Sequence, residues 1–247
     1  MHCMLTLTRK QREIQQRENR ILEVSLELLL KSSYHGLSMD RIAEVLEYSK
    51  GTIYQHFSCK EEILVALANK AIQVRLDLFR RAASFRGRSR ERLQGVGVAS
   101  QIFLRLYPHY FTVEQIIRLS SVWEKTSPER RAFLHRCEEQ CAGIVAGIVR
   151  DAVASGDLEL PPDVTVEDVI FGVWALNFGA CTIMTTSTML TDFGIPDAAA
   201  SLRWNHVMML DGYGWKPLSR DFDHHEVDRR LSTEVFAPEF AQLAAYK

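Results

Sequence analysis

Apolar residues recur along this chain with the period of an α-helix almost from end to end, and no stretch alternates like a strand between hairpin turns. Ile14, Ile21, Leu22, Ser25, Leu28 and Leu29 fall at i, i+7, i+8, i+11, i+14 and i+15, which lines one helix face. Gly36 follows as a stop. Ser38 then caps a short helix that turns Ile42, Ala43 and Leu46 inward, with Asp40 in the first turn where the helix dipole favours an acid. A third short helix runs from about Ser49 to Phe57, with Ile53 and Phe57 on its inner face. Ser58-Cys59-Lys60-Glu61 has the form of a capping box and opens a long helix striped by Ile63, Leu64, Leu67, Ala71, Val74, Leu78 and Phe79. The fold class this pattern predicts is all-α.

An Arg/Ser/Gly segment from Phe85 to Arg92 interrupts the pattern and marks the domain junction. Beyond it, Ser127-Pro128-Glu129 starts a helix that runs to Ser155 and stops at Gly156. Thr165 with Asp168 opens another, and Ile195-Pro196-Asp197 opens one reaching about Leu210. Gly212 to Pro217 reads as a turn, and Val227 to Val235 as an extra helix. The resulting division is 1–60, 61–85 as a connecting helix, and 86–247 with a C-terminal extension.

Composition excludes several classes. Lys and Arg number 30 against 31 Asp and Glu, which rules out a uniformly basic chain but leaves room for a local basic face. Residues 1–60 hold nine Lys/Arg against seven Asp/Glu. Cys3, Cys59, Cys137, Cys141 and Cys181 are odd in number and scattered, as expected of reduced thiols. Arg9, Lys10 and Arg12 stand where a signal peptide would be apolar, so a cytoplasmic location is expected. From Val169 to Thr191 no residue is charged, yet Asn177, Thr182, Thr185, Thr186, Ser187, Thr188 and Thr191 make the stretch too polar for a membrane span. It reads as a helix buried in protein, with no membrane partner.

Two short helices joined by a tight turn behind a longer supporting helix have the layout of a helix-turn-helix. Its second helix, Ser49-Lys50-Gly51-Thr52-Ile53-Tyr54-Gln55-His56-Phe57, suits a DNA major groove. Small hydroxyl residues at its start can meet base edges or phosphates, Lys50 and Lys60 supply phosphate charge, and Gln55 can pair with adenine. Arg9, Lys10, Arg12 and Arg17 form either a DNA-contacting arm or a solvated tail. The cluster Arg80, Arg81, Arg86, Arg88, Arg90 and Arg92 reads mainly as a solvated turn.

The run from Arg20-Ile21-Leu22 through Gly36-Leu37-Ser38, Ile42-Ala43 and Ser49-Lys50-Gly51-Thr52-Ile53-Tyr54-Gln55-His56-Phe57 to Lys60-Glu61-Glu62-Ile63-Leu64 closely resembles the DNA-binding domain of TetR-family transcriptional regulators. The likeness is firm over about residues 12–70. It implies that Ser38 caps its helix and touches a phosphate. Ser49, Lys50, Gly51, Thr52 and Gln55 would face the groove, and Tyr54, His56 and Lys60 would grip the backbone. It further implies a ligand-responsive, homodimeric repressor acting on an inverted-repeat operator in double-stranded DNA. One departure stands out: Glu47-Tyr48 replaces the usual Gly-Val of the turn. If position 47 needs a positive φ, glutamate there costs on the order of 1 kcal/mol relative to glycine.

In the larger domain the uncharged helix offers a dimer seam of Gly172, Ala175, Leu176 and Gly179, joined by Leu202, His206 and Met209 of the next helix. An unknown small-molecule effector would sit among Phe103, Tyr107, Trp123, Trp174 and Phe178, with Phe111, Phe133 and Met184 as further apolar candidates. Cys137 and Cys141 with His135, and Asp221, Asp223, His224, His225 and Glu226, have metal-like spacing but read as ordinary helix and solvated loop. No catalytic motif, cofactor site or metal site is expected, so the chain does not read as an enzyme. The alternatives are a constitutive DNA-binding helical protein without effector and a helical metal-dependent enzyme.

Overall fold

The computed structural model describes residues 8–118 and 120–245, so Cys3 lies outside the described residues. Among the described residues there is no strand, and twelve α-helices carry the chain. They are α1 (Arg9–Gly36), α2 (Met39–Leu46), α3 (Lys50–His56), α4 (Lys60–Ala83), α5 (Ser89–Leu106), α6 (Pro108–Ile116), α7 (Ser120–Glu124), α8 (Pro128–Ala154), α9 (Val166–Thr186), α10 (Ala198–Gly212), α11 (His224–Arg230) and α12 (Ala237–Ala245).

Local chemistry sets the helix ends. Thr8 and Gln11 form a capping box for α1, so Arg9, Lys10, Arg12 and Arg17 are helical residues. α1 breaks at Ser33 (φ 57°, ψ −178°), three residues before the expected stop at Gly36. Gly36 is required for a different reason: a Cβ there would lie 2.5 Å from the Ser32 Cβ. Ser38, Ser49, Thr165 and Asp197 each cap their helix by accepting a backbone N–H. Gly156, at φ 75°, follows the end of α8. The capping box at Ser58 does not form in the expected way, because Glu61 is drawn to the Tyr34 hydroxyl at 3.0 Å.

The helices divide into two compact units that do not follow the linear division at 60 and 85. The first comprises Met1–Ile72 with His109–Arg136, and the second Gln73–Pro108 with Cys137–Lys247. In the first unit Ile21, Ile42, Ile53, Ile63 and Leu64 are fully buried and Phe57 nearly so. Segment 109–136 joins this core because two buried acids of α4 need partners. Glu62 accepts from the Ser127 backbone N–H and pairs with Arg130 at 2.6 Å. Glu61 pairs with Lys125 at 3.5 Å. Arg130 also lies over the Phe57 ring, 4.9 Å from its centroid.

The second unit is closed by its own C-terminal extension. The expected helix from Val227 to Val235 is instead α11, a π-helical turn at Leu231–Val235, and α12. Trp215, Leu231 and Phe236 are fully buried. Leu231 packs so closely on α5 that a Cβ added to Gly95 would lie 3.1 Å from its methyl carbon. Arg81 binds Glu239 at 2.5 Å, which fastens α12. Of the arginine cluster Arg90 turns inward, Arg81 and Arg92 are half-buried, and Arg80, Arg86 and Arg88 stay exposed. Arg80 donates to Gln140, Arg88 pairs with Asp157, Arg90 with Asp211 and Arg92 with Asp151.

One expectation is corrected. α9 is long and apolar enough to cross a membrane by length and composition, but only 17% of its most apolar window is buried in this chain. It is therefore no buried core helix of a single chain. Phe171 and Trp174 on α9 and Trp204 and Met208 on α10 stand 64%, 51%, 62% and 41% exposed.

Candidate nucleic-acid interface and cavity

α2 and α3 are held at their angle by a tight turn. Glu47 adopts the left-handed conformation (φ 55°, ψ 33°), and its N–H returns to the carbonyls of Ala43 and Glu44. The Tyr48 N–H closes on the Ala43 carbonyl at 3.0 Å. The position thus has the backbone that favours glycine, and Glu47→Gly is expected to stabilise the fold by about 1 kcal/mol. A rise in the urea midpoint without change of slope would verify this; an unchanged or lower midpoint would contradict it.

With Ile53 and Phe57 committed to the core, the opposite side of α3 is presented to solvent. Ser49, Lys50, Gly51, Tyr54 and Gln55 are exposed, and Thr52 and His56 are half-buried. Ser49 accepts from the Thr52 N–H at 3.1 Å, and the two hydroxyl oxygens lie 2.8 Å apart. These residues form one short, polar, projecting surface, to which Ser38 adds its hydroxyl at the start of α2. The two lysines are already oriented. Lys50 pairs with Asp40 at 2.7 Å, while Lys60 donates to the Tyr34 carbonyl at 3.1 Å and lies over the Tyr34 ring. Asp40 therefore shares Lys50, a competition the sequence pattern does not reveal.

The second unit contains a cavity of about 380 Å³ enclosed by α5, α9, α10 and the start of α11. Leu93, Val96, Val173, Val207, Leu210 and Phe222 give it an apolar wall. Arg90, Gln94, Asn177, His206 and His224 bring polar groups to it. Burial pushes the His206 imidazole down to about 4, against a raising contact with the Val173 backbone. Burial also lowers His224, helped by the nearby Arg90 charge.

None of Phe103, Tyr107, Trp123, Trp174 and Phe178 lines this cavity. Phe103 is 2% exposed and lies under the Arg75 guanidinium, 4.5 Å from its ring centroid. Trp123 belongs to the other unit, and Trp174 is on the exposed side of α9 next to Phe178, ring centroids 6.2 Å apart. The seam residues are displaced in the complementary sense. Gly172 faces the Tyr213 hydroxyl and the Met209 sulfur, Leu202 is 3% exposed, and His206 lines the cavity. Leu176, Gly179 and Met209 are half-buried and Ala175 is exposed. Gly172 thus faces α10 within the chain, whereas Ala175 is exposed and a Cβ on Gly179 would meet no atom within 4 Å, and Phe171, Trp174 and Trp204 face out. Asn177 and His206, polar interruptions of apolar helices, were the available signals for the cavity.

Neither metal-like cluster converges. Asp223 caps α11, His224 turns to Gln94 and Glu226 pairs with Arg229. Among the described residues no group of three or more His, Cys, Asp and Glu is placed to hold a metal ion.

Residues 21–67 match the family described as bacterial regulatory proteins, tetR family. The chain is 22% identical to the fatty acid metabolism regulator protein of Bacillus subtilis over 165 residues, covering 64% of this chain and 82% of the relative. It is 24% identical to the HTH-type transcriptional activator FasR of Mycolicibacterium smegmatis over 179 residues, with the same coverage. The crystal structure of Bacillus subtilis FadR in complex with stearoyl-CoA superposes with a TM-score of 0.58 at 21% identity, covering 78% of this chain and 96% of that one.

Proposed function

Because the chain belongs to the tetR family of bacterial regulatory proteins, and is thus a helix-turn-helix, DNA-binding transcriptional regulator, we propose that it works as a cytoplasmic homodimer released from an inverted-repeat operator by a small molecule. The observation that carries the reading is α3, whose apolar side is fully committed to the core while Ser49, Lys50, Gly51, Tyr54 and Gln55 project outward. In this reading Gly51, Thr52 and Gln55 read bases, with Ser49 and Lys50 beside them. Ser38, Tyr54, His56 and Lys60 position the duplex. The bare aromatic side of α9 and α10 supports the dimer, since two copies present two reading helices to two half-sites.

Release follows from differential binding. An effector that prefers one arrangement of the protein lowers operator affinity by its coupling free energy, typically about 1–3 kcal/mol. The second unit's cavity supports an effector, and the stearoyl-CoA in the FadR structure is a precedent for a small molecule in a protein of this fold. The repressor assignment is the family's common mode, although the FasR relative is named an activator.

Selection from random DNA should recover an inverted repeat with half-site centres about one helical turn or somewhat more apart. On that operator Tyr54→Phe should weaken all sequences about equally, whereas Gln55→Ala should relax preference at one base pair by about 1–3 kcal/mol. Uniform loss from both variants would reject the groove assignment.

A further inference from the structure

The polar groups of the cavity are not equally occupied. Arg90 is held by Asp211 at 2.6 Å and donates to the carbonyls of Trp215 and Val207. Asp223 accepts the N–H groups of His225 and Glu226, and Asp228 accepts from Gln94 at 2.7 Å. Arg203 reaches Gln101 at 3.3 Å. Each charge on the wall thus has a partner in the protein, and the two cationic and two anionic lining residues cancel.

Two acceptors are left over, beside the Arg90 Nε, a donor likewise without a partner. The Asn177 Oδ1 and the His224 Nε2 are buried without a hydrogen-bond partner among the described residues. Their neighbours decide their character. Gln94 spends its amide donors on the His224 carbonyl and Asp228, so its Oε1, 3.3 Å from the His224 Nδ1, receives that N–H. The neutral ring then offers Nε2 as a bare acceptor. Likewise the Asn177 amide nitrogen lies 3.5 Å from the His206 Nε2, which leaves the Asn177 carbonyl oxygen unused. A buried acceptor without a donor is costly, and in this cavity there are two.

Gly97 adds a separate observation. It sits inside α5, where glycine is unfavourable, and it lines the cavity. Unlike Gly95, it faces open space: a Cβ there would meet no atom within 4 Å. No packing within the chain requires this glycine, and its missing side chain leaves room in the cavity.

We infer that the cavity binds an uncharged, mainly apolar molecule that carries hydroxyl or N–H donors for Asn177 and His224. The C-terminal extension supplies half of that recognition and is therefore part of the ligand site. A carboxylate would confront both acceptors and find only the Arg90 Nε to donate to it, and a cation would be desolvated beside Arg90 with every carboxylate already engaged. The volume lies near the small end of the roughly 300–1,000 Å³ typical of small-molecule sites. This inference rests on the effector reading above and gives that effector a chemical class.

Four size-matched probes test it by calorimetric titration of the full chain: decane-1,2-diol, undecan-2-one, decanoate and decylammonium. The diol is expected to bind, with each of the other three weaker by about tenfold or more. Asn177→Leu should weaken the diol by a similar factor and leave the ketone unchanged, a contrast that mere misfolding does not produce. Gly97→Leu should abolish diol binding while raising the melting temperature, because it fills the cavity and removes a helix-interior glycine. Equal or tighter binding of the ketone or of either ion, or no binding of any probe, overturns the inference. The same preparation is tested for DNA binding. Operator binding without diol binding defeats the ligand assignment alone, whereas diol binding without any DNA binding defeats the regulatory reading alone.

Discussion

Replacing Arg90 by alanine is expected to destabilise the protein by about 3–5 kcal/mol, the range for removing one partner of a buried ion pair. Arg90 is 1% exposed, and its guanidinium serves Asp211 and two main-chain carbonyls at once. Truncation leaves Asp211 with Ser219 alone and takes a donor from the carbonyls of Trp215 and Val207, at the fully buried Trp215, which donates its indole N–H to Ser89 at 3.0 Å. Lysine should rescue little, since a point ammonium cannot span the three directions that the planar fork serves. Denaturant unfolding followed by tryptophan fluorescence provides the measurement. A loss below about 1 kcal/mol for Arg90→Ala would show that water replaces the arginine and that the extension is only loosely fastened.

The second large effect concerns assembly. Phe171→Arg combined with Trp204→Arg is expected to yield a folded monomer and to reduce operator affinity at least about a hundredfold, while contact with an isolated half-site changes little. The reason is the exposure of four large apolar side chains, Phe171 and Trp174 on α9 and Trp204 and Met208 on α10, a pattern that marks an interaction surface. Two arginines there would confront their symmetry mates. Sedimentation velocity reports the mass and a fluorescence-anisotropy titration reports the DNA. A variant that sediments as a dimer would move the interface elsewhere.

How far the sequence carried these conclusions depends on what kind of contact each required. Helix starts were legible, because a cap is a local event: Ser38, Ser49, Thr165 and Asp197 all act within three residues of themselves. The polar side of α3 was legible for the same reason, since Ile53 and Phe57 fix its rotation. The role of segment 109–136 was not, because it depends on Glu61 and Glu62 finding Lys125, Ser127 and Arg130 about 65 residues away. The lining of the cavity was not legible, because it turns on the rotation of α9 and α10. Periodicity shows that α9 and α10 are apolar on more than one side, and cannot say which side meets a neighbour in the same chain. Trp174 is exposed, Phe178 is half-buried and His206 lines the cavity, a rotation that periodicity alone does not fix. Gly172 makes room for Tyr213 and Met209, a contact within the chain that small size alone does not distinguish from one between subunits.

The covering of α5 by the extension also sets an order of events during biosynthesis. Gln94 leaves the ribosome 134 residues before Asp228, to which it donates, and Gly95 waits as long for Leu231. Through that interval the nascent helix shows water a greasy flank that only the end of the polypeptide can shield. A message broken after the codon for Leu210 would therefore yield a product with its reading head intact and its larger half unfinished, prone to clump and readily degraded.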